Sequence, residues 1–359
     1  MWWNGDRLAH GYDDYWNAPI FHPSVNSLTF SEPMPLSALT APLYWATGNL
    51  TLSYNVWLLA VLTLNGWSGF QLLRQTVENR CAAFVGGGLV VLLPFVQHQF
   101  GVAQLVPLFG ILWSLAALRA LARNPTLPRG VVLGLCVGLT YWLCNYYGLF
   151  LGVLLAASFG WLFKSKLRSR KVWESLGLSA LVATIVVSPI VVAQFKSLAG
   201  HARPRATVQQ FSASPRALVA LPWPATLPQP VRVGGRHEVF PAFPGVIKLL
   251  LAVIGVGLGL RRPAARSWTQ FCVALLIAAL ILGMGTRLQV GGWSVYGLLA
   301  NLPGFAQIRS PLRFLVFAQL MSRCSQLKVC KSFPSAAISC LAPLRRCIVP
   351  SCCCWVEPP

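Results

Sequence analysis

The chain has 359 residues, 55% of them hydrophobic and only 10% charged, and its formal net charge is +21. So little polar surface cannot cover the core of a water-soluble protein of this length, which excludes that class. The positive charge would suit nucleic acid in a soluble chain, but here it sits in short connections between long apolar stretches. A membrane is therefore the expected partner, and nucleic acid is not.

Residues 1–52 read as an external acidic loop with short helices. This segment holds Asp6, Asp13, Asp14 and Glu32, half of the eight acidic residues, against the single Arg7. Apolar stretches follow at Ser53–Leu73, Cys81–Val96, Val102–Leu121, Val131–Phe163, Val172–Phe195, Gly245–Leu260 and Trp268–Met284. A helix rises about 1.5 Å per residue, so roughly 20 residues cross a hydrocarbon core of about 30 Å. Val131–Phe163 is too long for one straight crossing. Asn145-Tyr146-Tyr147-Gly148 interrupts it, which predicts two spans, Val131–Cys144 and Tyr147–Phe163, and brings the total to eight.

The predicted fold is all-α, a polytopic transmembrane bundle of about eight spans with an incomplete ninth and larger external loops. Residues 53–198 form a core of about six spans, 199–244 a basic Pro-rich external loop, and 245–284 two further spans. Residues 285–320 hold another external loop and the start of a truncated ninth span at Leu312.

Residues 321–359 carry seven of the 11 cysteines among Ser, Pro and basic residues. Cys352–Cys354 are consecutive, no CxxC pair occurs and the tail has no histidine, so no metal site is predicted. A frameshifted or misassembled end explains this composition together with the broken span, and a disordered, dispensable tail is expected. The amino end begins inside an external loop, so a lost upstream span is expected there, and an impaired or inactive chain overall. Cys81, Cys136, Cys144 and Cys272 fall within or beside spans and read as small apolar filler.

The basic residues set the predicted orientation. Arg74 and Arg80; Arg119, Arg123 and Arg129; Lys164, Lys166, Arg168, Arg170 and Lys171; and Arg261, Arg262 and Arg266 all fall on one side of an eight-span topology. The positive-inside rule puts that side in the cytoplasm and the large loops outside.

The most specific motif is Tyr15-Trp16-Asn17-Ala18-Pro19-Ile20-Phe21-His22-Pro23, continuing through Asn26, Leu28 and Phe30-Ser31-Glu32-Pro33. Ala41-Pro42-Leu43-Tyr44-Trp45, Ser53-Tyr54-Asn55 and Leu72-Leu73-Arg74 follow. Further on come Phe95–Gln104, with His98 and Gln104, then Tyr146-Tyr147-Gly148-Leu149-Phe150, Pro303-Gly304 and Arg309-Ser310-Pro311-Leu312-Arg313-Phe314. In these motifs, over about residues 5–320, the chain resembles the large bacterial families of polytopic proteins with a GT-C-type glycosyltransferase architecture.

The resemblance implies transfer of a sugar from a polyprenyl-phosphate donor on the external face of a bacterial cytoplasmic membrane, with membrane lipid as the surrounding partner. It also implies a loop carboxylate acting as general base or as a metal-associated residue, and leaves a divalent metal ion open as cofactor. Asp6 is the first candidate, then Glu32, with the Asp13–Asp14 pair as substrate-binding residues. Solvated residues that keep the loop external are the competing reading.

The chemistry sets what to look for. An acceptor hydroxyl must lose a proton as a glycosidic bond forms, and a positioned carboxylate can take it. Guanidinium groups bind phosphate oxygens in fork geometry, which singles out Arg203 and Arg205, alongside Arg216, Arg232 and Arg236. A basic loop lying on anionic headgroups competes with that role. His98 could orient a substrate or cap a helix end. Arg309 and Arg313 bracket Pro311, where donor-phosphate binding competes with interface anchoring.

No phosphate-binding Gly-rich loop, zinc-protease motif or nucleophile elbow occurs. Ionisable residues are nearly absent from the spans, apart from Lys248 and Glu174 at their edges, which argues against an ion pump. A multi-pass transporter or lipid-handling protein is the alternative to an enzyme.

Overall fold

The computed structural model describes residues 1–77, 79–198, 202–215, 231–233, 236–238, 246–289 and 291–326. Arg216 and residues 327–359, most of the Cys-rich tail, lie outside them.

The amino-terminal segment holds α1 (Trp2–Ala9), 3-10 turns at Ser27–Phe30 and Pro35–Thr40, and α2 (Ala41–Thr47). Gly48, at φ +65°, ends α2 in the left-handed conformation that a side chain would strain. Asparagines start the next two helices. The Asn49 side chain accepts the Leu52 N–H at the head of α3 (Leu50–Arg74), and Asn79 accepts that of Ala82 in α4 (Arg80–Val91). The short α5 (Pro94–His98) follows, then α6 (Phe109–Arg123), α7 (Leu127–Leu143) and α8 (Asn145–Phe163). The break between α7 and α8 falls at Cys144, whose backbone is extended (φ −157°, ψ 114°).

Next come α9 (Arg170–Leu198) and α10 (Arg205–Gln210), then a short antiparallel ribbon pairing Val231–Val233 with Arg236–Glu238. The chain ends, as described, with α11 (Val246–Arg261), α12 (Pro263–Gly283), α13 (Val295–Leu299) and α14 (Leu315–Gln326).

Among the described residues, six helical segments are long and apolar enough to cross a membrane: Leu50–Arg74, Arg80–Gln97, Ala103–Arg123, Asn145–Phe163, Arg170–Ser197 and Pro263–Gly283. The chain is a multi-pass membrane protein built from helices. The 17-residue α7 and 16-residue α11 are apolar but shorter. The segment expected as a half-span after Arg313 forms α14, packed against α11 and α12, with Phe317, Leu320 and Met321 buried. The break in composition at Met321 thus falls inside a packed helix.

α6 lies at the centre: 78% of its apolar stretch is buried, against 11% for α9. The buried Asn65 of α3 starts α6 from outside. Its Oδ1 accepts the N–H groups of Leu108 (2.7 Å) and Phe109 (2.9 Å), and its amide donates to the Val106 carbonyl (2.8 Å). In hydrocarbon no water can serve those backbone groups, so a side chain from a neighbouring helix must.

α9 docks on α7 through glycines one turn apart. A Cβ at Gly130 would overlap the Ser175 carbonyl, one at Gly134 would lie 2.5 Å from the Ser179 carbonyl, and one at Gly138 2.5 Å from Val186 Cγ1. Small residues at four-residue spacing let two backbones meet this closely. Pro189 sits inside α9 and leaves the Ile185 carbonyl without its usual N–H partner. The Ser188 hydroxyl donates to that carbonyl instead (2.8 Å).

Candidate functional site

The end of α7, the start of α8, the end of α9 and the approach to α14 all lie at one end of the bundle. The opposite end holds the Arg119–Arg129 and Lys164–Arg170 connections, where Lys166 ties back to the carbonyls of Ala122 and Arg123 at 2.8 and 2.9 Å. At the first end a cleft of about 1110 Å³ opens, lined by the loop around Glu32, by Asn145 and Tyr146 of α8, by Val191, Gln194 and Phe195 of α9, and by segments 202–204 and 300–313. That is at the large end for a ligand site, ample for a substrate with an extended body.

Glu32 reaches the cleft from the loop after the Ser27–Phe30 turn. Its carboxylate accepts the N–H groups of Asn145 (2.7 Å) and Tyr146 (3.4 Å), and Cys144 Sγ approaches it at 3.7 Å. It therefore caps α8, whose first residues would otherwise expose unmet N–H groups and the positive end of the helix dipole. Burial pushes the Glu32 carboxyl above its ordinary pKa. The Asn145 N–H, the Arg313 charge, the Tyr146 N–H and the Cys144 thiol all pull the other way, and burial wins.

Rings orient two of the arginines. The Arg313 guanidinium lies over Tyr146 at 4.4 Å from the ring centroid, and that of Arg309 over Phe211 at 4.8 Å. A ring holds a guanidinium without consuming its N–H donors, which stay available to an oxyanion. Arg203 donates its backbone N–H to the Ala306 carbonyl (2.9 Å), pinning its segment to the opposite strand of the loop, and its side chain is exposed.

Of the residues expected from sequence, Glu32, Arg203, Arg309 and Arg313 line this one cleft. Asp6 instead pairs with its neighbour Arg7, whose Nε and Nη2 lie 2.8 and 2.5 Å from Oδ2. Asp13 and Asp14 are exposed, and Asp14 accepts the Asn17 amide at 2.5 Å. Arg205 opens α10 and points to solvent. His98 ends α5, its ring outside the described residues, and Arg232 and Arg236 are described as ribbon backbone alone.

Among the described residues no three His, Cys, Asp or Glu side chains gather where they could hold a metal ion. Glu32 is the single carboxylate among the described residues that line the cleft, so the protein alone offers a divalent cation one charged oxygen donor there.

Neutral polar residues complete the wall, and sequence reasoning missed them. The Tyr141 hydroxyl donates to Gln194 Oε1 at 2.8 Å, bridging α7 and α9. Asn145, only 8% exposed, makes no side-chain hydrogen bond among the described residues. Gln307 has a buried carbonyl oxygen without a partner among them. Gln194 carried a signal, since it is a lone carboxamide within Val191-Val192-Ala193-Gln194-Phe195.

No curated protein and no solved structure matches the chain. A family model matches residues 13–343, a stretch that includes the Glu32 loop, the α7–α9 wall and both cleft arginines before α14. The chain belongs to the family described as Domain of unknown function (DUF6311).

Proposed function

We propose that the chain is a membrane glycosyltransferase of GT-C-like architecture. It transfers a sugar from a polyprenyl-phosphate donor on the external face of a bacterial cytoplasmic membrane. The observation that carries this reading is one carboxylate, Glu32, sharing a single cleft with Arg203, Arg309 and Arg313. In this reading the bundle crosses the membrane eight times, α7 and α11 included, with α14 as a partial ninth crossing. The basic connections face the cytoplasm, and the cleft opens on the other side.

The reaction follows from the residues. Glu32 takes the proton of an acceptor hydroxyl as that oxygen bonds to the anomeric carbon, and the carbon–oxygen bond to the donor phosphate breaks. The polyprenyl phosphate leaves with the bonding electrons, and the arginines offset its charge. The raised pKa of Glu32 makes it a stronger base than an ordinary loop carboxylate.

Transfer of labelled sugar from polyprenyl phosphate by the full chain in lipid nanodiscs tests this. Glu32→Gln should lower kcat by about 100-fold or more, and Arg309→Ala should chiefly raise KM. Undiminished transfer by the Glu32 variant would remove the assigned base. Arginine-dependent lipid binding without any transfer would favour a lipid-handling protein instead.

A further inference from the structure

Asn145 is the least expected residue in the cleft. Its own N–H is held by Glu32, which fixes its backbone at the cleft, yet its side-chain amide, in a residue 8% exposed, has no partner among the described residues. A carboxamide so placed has its donors and its acceptor open to whatever lies beside it. The cleft is the space it borders. Gln194 stands on the same cleft wall, its Oε1 fixed by the Tyr141 hydroxyl, which leaves its amide N–H₂ directed elsewhere. Asn and Gln each offer donors and an acceptor without charge, so they can bracket neighbouring hydroxyls that both give and receive.

We infer that Asn145 and Gln194 form a subsite for the hydroxyls of an uncharged sugar ring beside Glu32, distinct in chemistry from the arginines that meet phosphate. This rests on the glycosyltransferase reading and adds what that reading leaves open: the transferred group is a neutral polyhydroxylated ring. Neither carboxamide carries a charge that would pair with the carboxylate of an anionic sugar. Tyr141 is a positioning residue that acts through Gln194.

The test uses the full chain in nanodiscs and two probes, a polyprenyl phosphate and the same lipid phosphate carrying a neutral hexose, each competing against a fluorescent polyprenyl phosphate. The hexose adduct should bind about 10-fold more tightly than the bare lipid phosphate, the increment of one to two net hydrogen bonds. Asn145→Ala and Gln194→Leu should each remove on the order of 5- to 10-fold of that difference and leave the bare probe unchanged. Tyr141→Phe should act in the same direction but less, and Arg309→Ala should weaken both probes alike.

A purely structural role would instead shift both probes equally in the Asn145 and Gln194 variants, and that outcome overturns the subsite. So does an absent hexose increment, even with arginine-dependent binding of the bare lipid phosphate. Wild-type sugar transfer that survives Asn145→Ala with unchanged KM would reject the subsite while leaving the glycosyltransferase reading intact. Binding of neither probe would reject both.

Discussion

Glu32 holds its proton more tightly in the folded chain than in the unfolded one, because burial penalises its charge more than its partners favour it. The folded state then binds more protons than the unfolded state across the window above the ordinary glutamate pKa. Stability must fall as pH rises through that window, and level off above the raised value. Glu32→Gln should flatten this fall, read as Tm against pH in nanodiscs. An equally steep fall in the variant would assign it to another group. Asn65 makes a second prediction at this scale: Asn65→Ala strands three backbone groups inside the bundle and should cost at least about 3 kcal/mol, measured by reversible unfolding in mixed micelles. Charged residues such as Arg309 and Arg313 were legible in the sequence, because a charge stands out in an apolar chain. Asn145 and Tyr141 were not, because a neutral side chain becomes informative only when the fold shows what lies opposite it. The pairing of Asp6 with Arg7 was equally invisible, since adjacent residues can face apart or together depending on the helix that carries them.

At the scale of elements, the α7–α9 joint has almost no slack. Gly134→Leu would drive a side chain into the Ser179 carbonyl and Val182, and should destabilise by about 2–3 kcal/mol or abolish folding. Gly177, on α9, has nothing within 4 Å of its would-be Cβ. Gly177→Ala should therefore be neutral or stabilising by about 0.5–1 kcal/mol. Thermal unfolding of the two variants side by side checks the contrast, and equal effects would mean that close approach does not hold α9 in place. Hydropathy located the helices well, because length and apolarity alone decide whether a helix can cross a bilayer. The break at Cys144 was legible too, from the polar and Gly residues that follow it, but its cause was not. What stops α7 and starts α8 there is the carboxylate of Glu32, supplied from more than a hundred residues earlier in the chain.

At the scale of the molecule, the basic connections and the cleft occupy opposite ends of the bundle. Single cysteines introduced at Ser165 and Asn301 in a background lacking the native thiols should react with a membrane-impermeant maleimide from opposite sides. Labelling of both from one side would overturn the orientation. The sequence made this polarity legible through its charges. The cleft itself was hidden, because its walls come from widely separated stretches whose meeting depends on helix packing.

Pro189 gives that arrangement a mechanical consequence. The part of α9 before it rises roughly 28 Å, close to the thickness of a hydrocarbon core, and the part after it adds roughly 15 Å. Val191, Gln194 and Phe195 all belong to the second part. A thicker or thinner bilayer forces a spanning helix to tilt, and a helix with a continuous hydrogen-bond ladder would carry its far end along. With the ladder interrupted at Pro189, the tilt can be absorbed there, so the cleft wall keeps its height while the membrane below it changes. Pro189→Ala should restore the ladder and make ligand affinity vary with acyl-chain length across a series of nanodiscs, where the native chain stays level. A native chain as sensitive to bilayer thickness as the variant would deny Pro189 this buffering role.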